Sequence, residues 1–227
     1  MEARLGQLDV VRTLEDHTYD SLRRAMSSGM LRPGERLSAD RLAKDLGVSR
    51  MPVVQALRRL ASQGFVTAAP HKPVSVAAPT PADIRERYLV MVALERLCAN
   101  EAFAHDADGL VSALRERLAA QRASDGTPAE EDRHDRAFHT ALWDAGGLPS
   151  VVSMLEMLWD RGGYYRALLF AHDGYRAARL VEHAAILAAA EARDVELVIG
   201  ALAEHRWRGM ARMLEIVASL PQSAVRS

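Results

Sequence analysis

Apolar positions recur at Leu14, Thr18/Tyr19, Leu22 and Ala25/Met26, a three-to-four spacing that predicts an amphipathic helix from Leu14 to Met26, closed by Gly29. Arg32-Pro33-Gly34-Glu35 predicts a turn. Ser38 is placed to cap a short helix running through Leu46 and ended by Gly47, and Ser49 to cap the next, from Arg50 to about Gln63. Pro52 falls in the first turn of that helix, where its missing N–H removes no hydrogen bond. After Gly64 the rhythm changes to two short β-rich runs, Phe65-Val66-Thr67 and Val74-Ser75-Val76, which predict a hairpin with His71 and Lys72 at its tip. The small Ala43 allows two helices to cross closely, Gly47 makes the turn, and Val48, Val53 and Leu57 face inward. That is the pattern of a winged helix-turn-helix.

Pro79 and Pro81 interrupt regular structure and set a predicted boundary, with one domain over residues 1–78 and a second over 79–227. Beyond it the period is helical throughout. Ile84, Tyr88, Met91/Val92, Leu94/Glu95 and Cys98 mark one helix; Leu110, Leu114, Leu118 and Ala119 mark another. A loop at Ser124-Asp125-Gly126-Thr127-Pro128 precedes a third helix through Trp143, which Gly146-Gly147 ends. Val151 to Phe170 continues as helix, and two more lie either side of Asp194. The expected fold class is mainly α: a winged helix-turn-helix followed by an all-α bundle of six to seven helices with no strand.

Composition narrows the function classes. Apolar residues make up 49% and charged residues 26%, usage that argues against disorder, and aromatics at 5% make the core largely aliphatic. The single cysteine, Cys98, forms no internal disulfide, which excludes a disulfide scaffold and fits a reducing compartment. No run approaches the roughly 18 uncharged apolar residues of a membrane span. The first residues lack a signal-peptide layout, so the expected location is the cytoplasm.

Charge is unevenly spread. Residues 1–78 carry 12 basic against 8 acidic side chains, while 79–227 carry 17 against 22. From Leu46 to Ala82 there is no carboxylate, yet Arg50, Arg58, Arg59, His71 and Lys72 all fall there, so this stretch can approach a polyanion without an opposing field. On a helix entering the major groove by its N-terminal end, Ser49, Arg50, Met51 and Val54 face DNA and Arg58 follows on the next turns; His71 and Lys72 on the wing approach the sugar-phosphate. The Arg50 guanidinium suits a guanine edge or a phosphate.

In the helical half, Asp135 and His139 are four apart and share a helix face. His183 and His205 sit on later helices, and imidazole with carboxylate is the usual ligand set for zinc and similar divalent ions. Each histidine taken singly is equally a hydrogen-bonded core residue, and spacing alone does not join the distant ones to the pair.

Two stretches resemble a known family. Gly29-x-Leu31-x-Pro33-Gly34-Glu35-x-Leu37, Leu42-Ala43-x-x-Leu46-Gly47-Val48-Ser49-Arg50-x-Pro52-Val53, Ala56-Leu57-x-x-Leu60 and Gly64-x-Val66 resemble the winged helix of GntR-type bacterial transcription regulators. Asp135-x-x-Phe138-His139-x-x-Leu142, Glu182-His183-x-x-Ile186-Leu187, Asp194 and His205 are similar to the effector bundle of its FadR-like branch, the FCD type.

The resemblance implies a divalent metal held by Asp135, His139, His183 and His205, with Zn expected and Ni or Mn acceptable to the same donors. It also implies a small carboxylate effector, and a homodimer that acts as a repressor on a palindromic double-stranded DNA operator. The chain departs from the family where Val54 replaces a common DNA-contacting arginine and where His71-Lys72-Pro73 replaces a wing glycine. Met91 likewise replaces an arginine that clasps carboxylates. Arg87, Arg161, Tyr165 and Arg166 are therefore the candidate effector residues. The competing readings are a metal-dependent hydrolase-like enzyme, for which no positioned general base is evident, and a DNA-binding protein whose metal is purely structural.

Overall fold

The structure is a computed structural model, described here over residues 13–69, 73–124 and 126–219. Its contacts divide the chain after Ala77 into two units. In the first, α1 (Leu14–Ser27) starts on Thr13, whose hydroxyl accepts from the Asp16 amide while the Asp16 carboxylate accepts from the Thr13 amide. Next come α2 (Ala39–Leu46), α3 (Arg50–Ser62), β1 (Val66–Thr67) and β2 (Ser75–Val76). Gly47 ends α2 at φ 67°, a left-handed turn that glycine adopts freely, and this reversal leads straight into α3. The strands pair antiparallel with Val66 opposite Val76, and Arg36 bridges to Ser75. Leu22, Met26, Val53, Ala56, Leu60 and Phe65 fill the small core beneath α3. Ser49 precedes α3 as expected, but its hydroxyl makes no capping hydrogen bond, so it is available to other partners. Val48, expected inward, is only half-buried.

The second unit is wholly helical among the described residues: α4 (Pro81–Ala123), α5 (Pro128–Ala145), α6 (Pro149–Asp160), α7 (Gly163–Phe170), α8 (Tyr175–Glu191) and α9 (Val195–Ser219). The two helices expected between Pro81 and Ala119 are one element broken at Asp106 (φ −154°, ψ 69°). There the carboxylate accepts from the Gly109 amide and recaps the second half. The continuous helix expected from Val151 to Phe170 is instead two, interrupted at Arg161–Gly162. Cys98, Leu114, Phe138, Trp143, Leu155, Trp159, Ile186 and Val198 form the main core. A second cluster of Ile84, Tyr88, Tyr165, Leu169 and Met213 lies beside it. No described helix is long and apolar enough to cross a membrane.

Candidate functional site

The first unit offers an exposed face. Ser49, Arg50, Met51 and Arg58 are exposed on or just before α3, with Met51 keeping 62% of its surface, and Val54 is half-buried. Arg50 pairs with Asp40 of α2 at 2.9 Å, but both side chains are largely in solvent, so the pair is weak and Arg50 can turn to another anion. Arg59 is used differently. It holds Asp16 at 3.0 Å and lies 4.1 Å from the Tyr19 ring, bracing α3 on α1. His71 and Lys72 lie outside the described residues.

The second unit encloses a polar cluster. Asp135 and His139 of α5, His183 of α8 and His205 of α9 each offer one ligand atom, and all four lie within 4.8 Å of one another. All four side chains are buried. His139 Nε2 and His205 Nε2 are 2.9 Å apart, and His183 Nε2 is 3.3 Å from Asp135 Oδ1. The Phe138 ring stacks on His183 at 4.0 Å and fixes its plane.

For two of the rings, outer partners decide which nitrogen carries hydrogen. Gln121 Nε2 donates to the Glu131 carboxylate, which Arg176 also holds, so Gln121 Oε1 is turned to accept from His183 Nδ1 at 2.7 Å. Glu182 Oε2 already accepts from Arg179 Nη1 and stands 2.9 Å from His205 Nδ1, which therefore donates to it. His139 Nδ1 faces Glu95 Oε1 at 3.2 Å, too far out of line for a hydrogen bond. With hydrogen on the Nδ1 of His183 and of His205, their two Nε2 lone pairs and a carboxylate oxygen of Asp135 converge with His139 Nε2. His183 Nε2 is left with no hydrogen-bond partner. The His183 Nε2 lone pair and the Asp135 carboxylate at 3.3 Å repel unless a cation lies between them. The donor set thus fits a divalent ion on its own chemistry.

Electrostatics hold the cluster ready to bind a cation. Burial pushes the His139 imidazole down to about 3, helped by Arg206, and burial lowers His183 and, with Arg179, His205. Burial would raise Asp135, but Arg179 and His183 outweigh it and hold the carboxyl well below its usual range. Burial of Glu95 is likewise outweighed, by Arg206, which grips it through Nε at 2.8 Å and through Nη2, while Trp143 Nε1 donates at 2.9 Å. Neutral imidazoles and ionised carboxylates are the forms that bind metal. Sequence reasoning missed Gln121, Glu131, Arg179 and Arg206. Of these, only Arg179 carried a signal, four residues before His183 on the same face.

Of the candidate effector residues, Arg87, Tyr165 and Arg166 are buried and Arg161 is half-buried. Arg87 and Arg166 meet around Gly162. Neither makes a hydrogen bond or ion pair with the four-donor cluster among the described residues: Arg166 is held by Asp132 and the Trp159 carbonyl, and Arg87 touches Met213 Sδ.

Comparison with known proteins places both units. The family model for bacterial regulatory proteins of the gntR family matches residues 14–76, and that for the FCD domain matches 86–206. The HTH-type transcriptional regulator McbR of Escherichia coli is 30% identical over 198 residues, spanning 85% of this chain and 89% of the relative. YdhC of Bacillus subtilis, an uncharacterized HTH-type transcriptional regulator, is 27% identical over 78% of this chain and 81% of its own. The solved structure of Escherichia coli McbR/YncC superposes with a TM-score of 0.68 at 27% identity, over 91% of this chain and 99% of that one. A GntR-type protein from Rhodococcus sp. RHA1 shares the fold at a TM-score of 0.72 and 24% identity, over 88% and 97%. An exposed helix-turn-helix face joined to a helical unit of this kind, and relatives that are regulators, identify the chain as a member of the GntR family of DNA-binding transcriptional regulators, with an FCD domain, rather than an enzyme.

Proposed function

We propose that the protein is a metal-dependent, ligand-responsive repressor. Residues 1–78 read a palindromic operator as one half of a homodimer, and residues 79–227 bind a divalent ion and a small carboxylate effector and carry the dimer contact. The observation that carries the metal reading is the convergence of one imidazole nitrogen from each of His139, His183 and His205 on the Asp135 carboxylate, with Gln121, Glu182 and Arg179 holding His183, His205 and Asp135 from behind. Asp135, His139, His183 and His205 hold the ion, zinc being the best match to this donor set and nickel or manganese acceptable alternatives. Bound there, it supplies Lewis acidity toward an oxygen anion.

On the DNA side, Ser49, Arg50, Met51, Val54 and Arg58, on or just before α3, form the reading edge, and His71 and Lys72, which follow β1 in the sequence, add phosphate contacts. A two-fold dimer sets two such helices about one DNA turn apart. Exposed Leu89, Val90 and Leu97 on α4 support a subunit contact by this unit. Effector control follows if the ligand binds the operator-competent and operator-released states unequally. A protein that binds operators works in the cytoplasm. The burial of all four donors favours a second reading, in which the metal is structural and no small molecule is answered.

The test begins with selection of genomic fragments by the purified protein at physiological salt. Recovery of one palindromic site, with metal lost from His183→Ala and His205→Ala, supports the proposal. Retention uniform over sequence and abolished by modest salt overturns the operator reading. Undiminished metal in both variants overturns the metal centre. Release of the recovered site by a small organic acid separates the first reading from the second.

A further inference from the structure

From Leu46 to Ala82 the chain has no carboxylate, yet the fold sets carboxylates from outside that stretch against two of its arginines. Arg59 donates to Asp16 at 3.0 Å, and the same guanidinium lies over the Tyr19 ring, so this pair ties α3 to α1. Asp40, in the first turn of α2, stands 2.9 Å from Nε of Arg50, the first residue of α3. Both side chains are largely in solvent, and no other hydrogen bond, ion pair or ring contact among the described residues engages either one. In water such a pair adds little to the join of α2 and α3. It does place a negative charge beside the leading arginine of the face that meets DNA.

Against phosphate that carboxylate is a cost, since it repels the backbone and cancels the attraction of its own arginine. Base edges differ. In the major groove a G·C pair shows two adjacent acceptors, guanine N7 and O6, and then one donor, the cytosine N4 amino group, whereas an A·T pair sets its donor between two acceptors. A guanidinium with a carboxylate beside it matches the first order and not the second. The carboxylate lies on the Nε side of Arg50, and Nη1 and Nη2 make no hydrogen bond among the described residues, so the forked end is the one left for guanine. Within the groove water is displaced, and a pair that is weak in solvent gains strength.

We propose that Asp40 is a specificity-determining residue, and that with Arg50 it reads a G·C base pair in each operator half-site. Arg50 donates to guanine O6 and N7. Asp40 orients that guanidinium, accepts from the cytosine amino group and repels any phosphate or base acceptor standing in its place. Asp40 therefore lowers affinity for DNA in general and raises the preference for one sequence. This role deepens the operator reading above and rests on it.

The test uses the full-length protein and the palindromic fragment recovered by genomic selection, with affinity followed by fluorescence anisotropy at physiological salt. Base pairs of one half-site are replaced in turn, and an unrelated duplex serves as the non-specific probe. The wild type is expected to lose about 10- to 100-fold in affinity when one particular G·C pair becomes A·T. Asp40→Asn keeps the shape and removes the charge. It is expected to bind the unrelated duplex about 5-fold more tightly and to reduce the loss at that G·C pair to about 3-fold or less. Arg50→Met is expected to erase the same preference, and the double variant to add nothing further, as two residues acting as one unit require. Were Asp40 only a charge favourable to the start of α2, Asp40→Asn would lower the thermal midpoint and leave the base preference as it was, which overturns the proposal. A selective operator with no G·C pair that answers to both variants overturns it too and leaves the operator reading standing. Wild-type protein that retains all fragments alike overturns the operator reading itself, and this role with it.

Discussion

In the winged-helix unit the ion pairs Arg50–Asp40 and Arg59–Asp16 leave between 38% and 76% of each side chain exposed, whereas in the helical unit Glu95–Arg206 and Asp135–Arg179 leave 4% or less. The chemistry of the pairs is the same and their consequences differ. Exposed pairs are worth about 0–1 kcal/mol, so α3 can surrender Arg50 to a partner without loosening its core. Buried pairs carry a desolvation penalty that only complete satisfaction offsets, so each member of the bundle's network is tied to the others. One unit keeps its charges for a partner outside; the other uses them to shape an interior.

The largest effect tests that contrast directly. Arg206→Met leaves Glu95 buried without the cation that grips it, and the loss of unfolding free energy is expected to be about 3–5 kcal/mol. Arg59→Ala, its exposed counterpart, is expected to cost about 1 kcal/mol in denaturant titrations. Equal costs would break the comparison.

A smaller effect is expected from pH. The three cluster histidines are held below their ordinary 6.5, so below that value the unfolded chain takes up protons that the metal-free folded bundle refuses. Stability is therefore full above pH 6.5 and falls as pH drops toward 3, by about 1.4 kcal/mol per pH unit for each histidine that stays neutral. Trp143, Trp159 and Trp207 all lie in the helical unit, so tryptophan fluorescence reads this unit alone. An unfolding midpoint unchanged between pH 7.5 and 5.5 would contradict the buried-neutral assignment.

The smallest effect on folding sharpens the other side. Arg58→Ala on exposed α3 is expected to change stability by no more than about 0.5 kcal/mol. It should nevertheless weaken operator binding across sequences and lower the salt slope by about 1, measured by fluorescence anisotropy over a salt series.

Much of the architecture is legible in local pattern. Gly29 and Gly47 end helices at positive φ as their positions suggest, and Thr80, with Asp83, caps α4 beside the prolines that marked the boundary. Where local signals compete, the pattern misleads. The apolar run from Val151 to Phe170 hides the break at Gly162, because its period continues on both sides. Asp106 recaps the second half of what reads as two separate helices, so the structure keeps one broken element. The four donors are visible as residue types, but only the resemblance joined them.

Periodicity, caps and the carboxylate-free stretch belong to residues within a few positions of one another. The sequence by itself therefore determined that there are two units, that the second is helical, and which face of α3 is free of acids. Tautomers and charge compensation depend on groups far apart in the chain. Gln121 sets His183 across 62 residues, Arg206 neutralises Glu95 across 111, and Arg87 reaches Met213 across 126. Only the tertiary structure decided that three imidazoles and the Asp135 carboxylate converge in one buried cluster. Desolvation and pairing energies are set by what lies within a few ångströms in space.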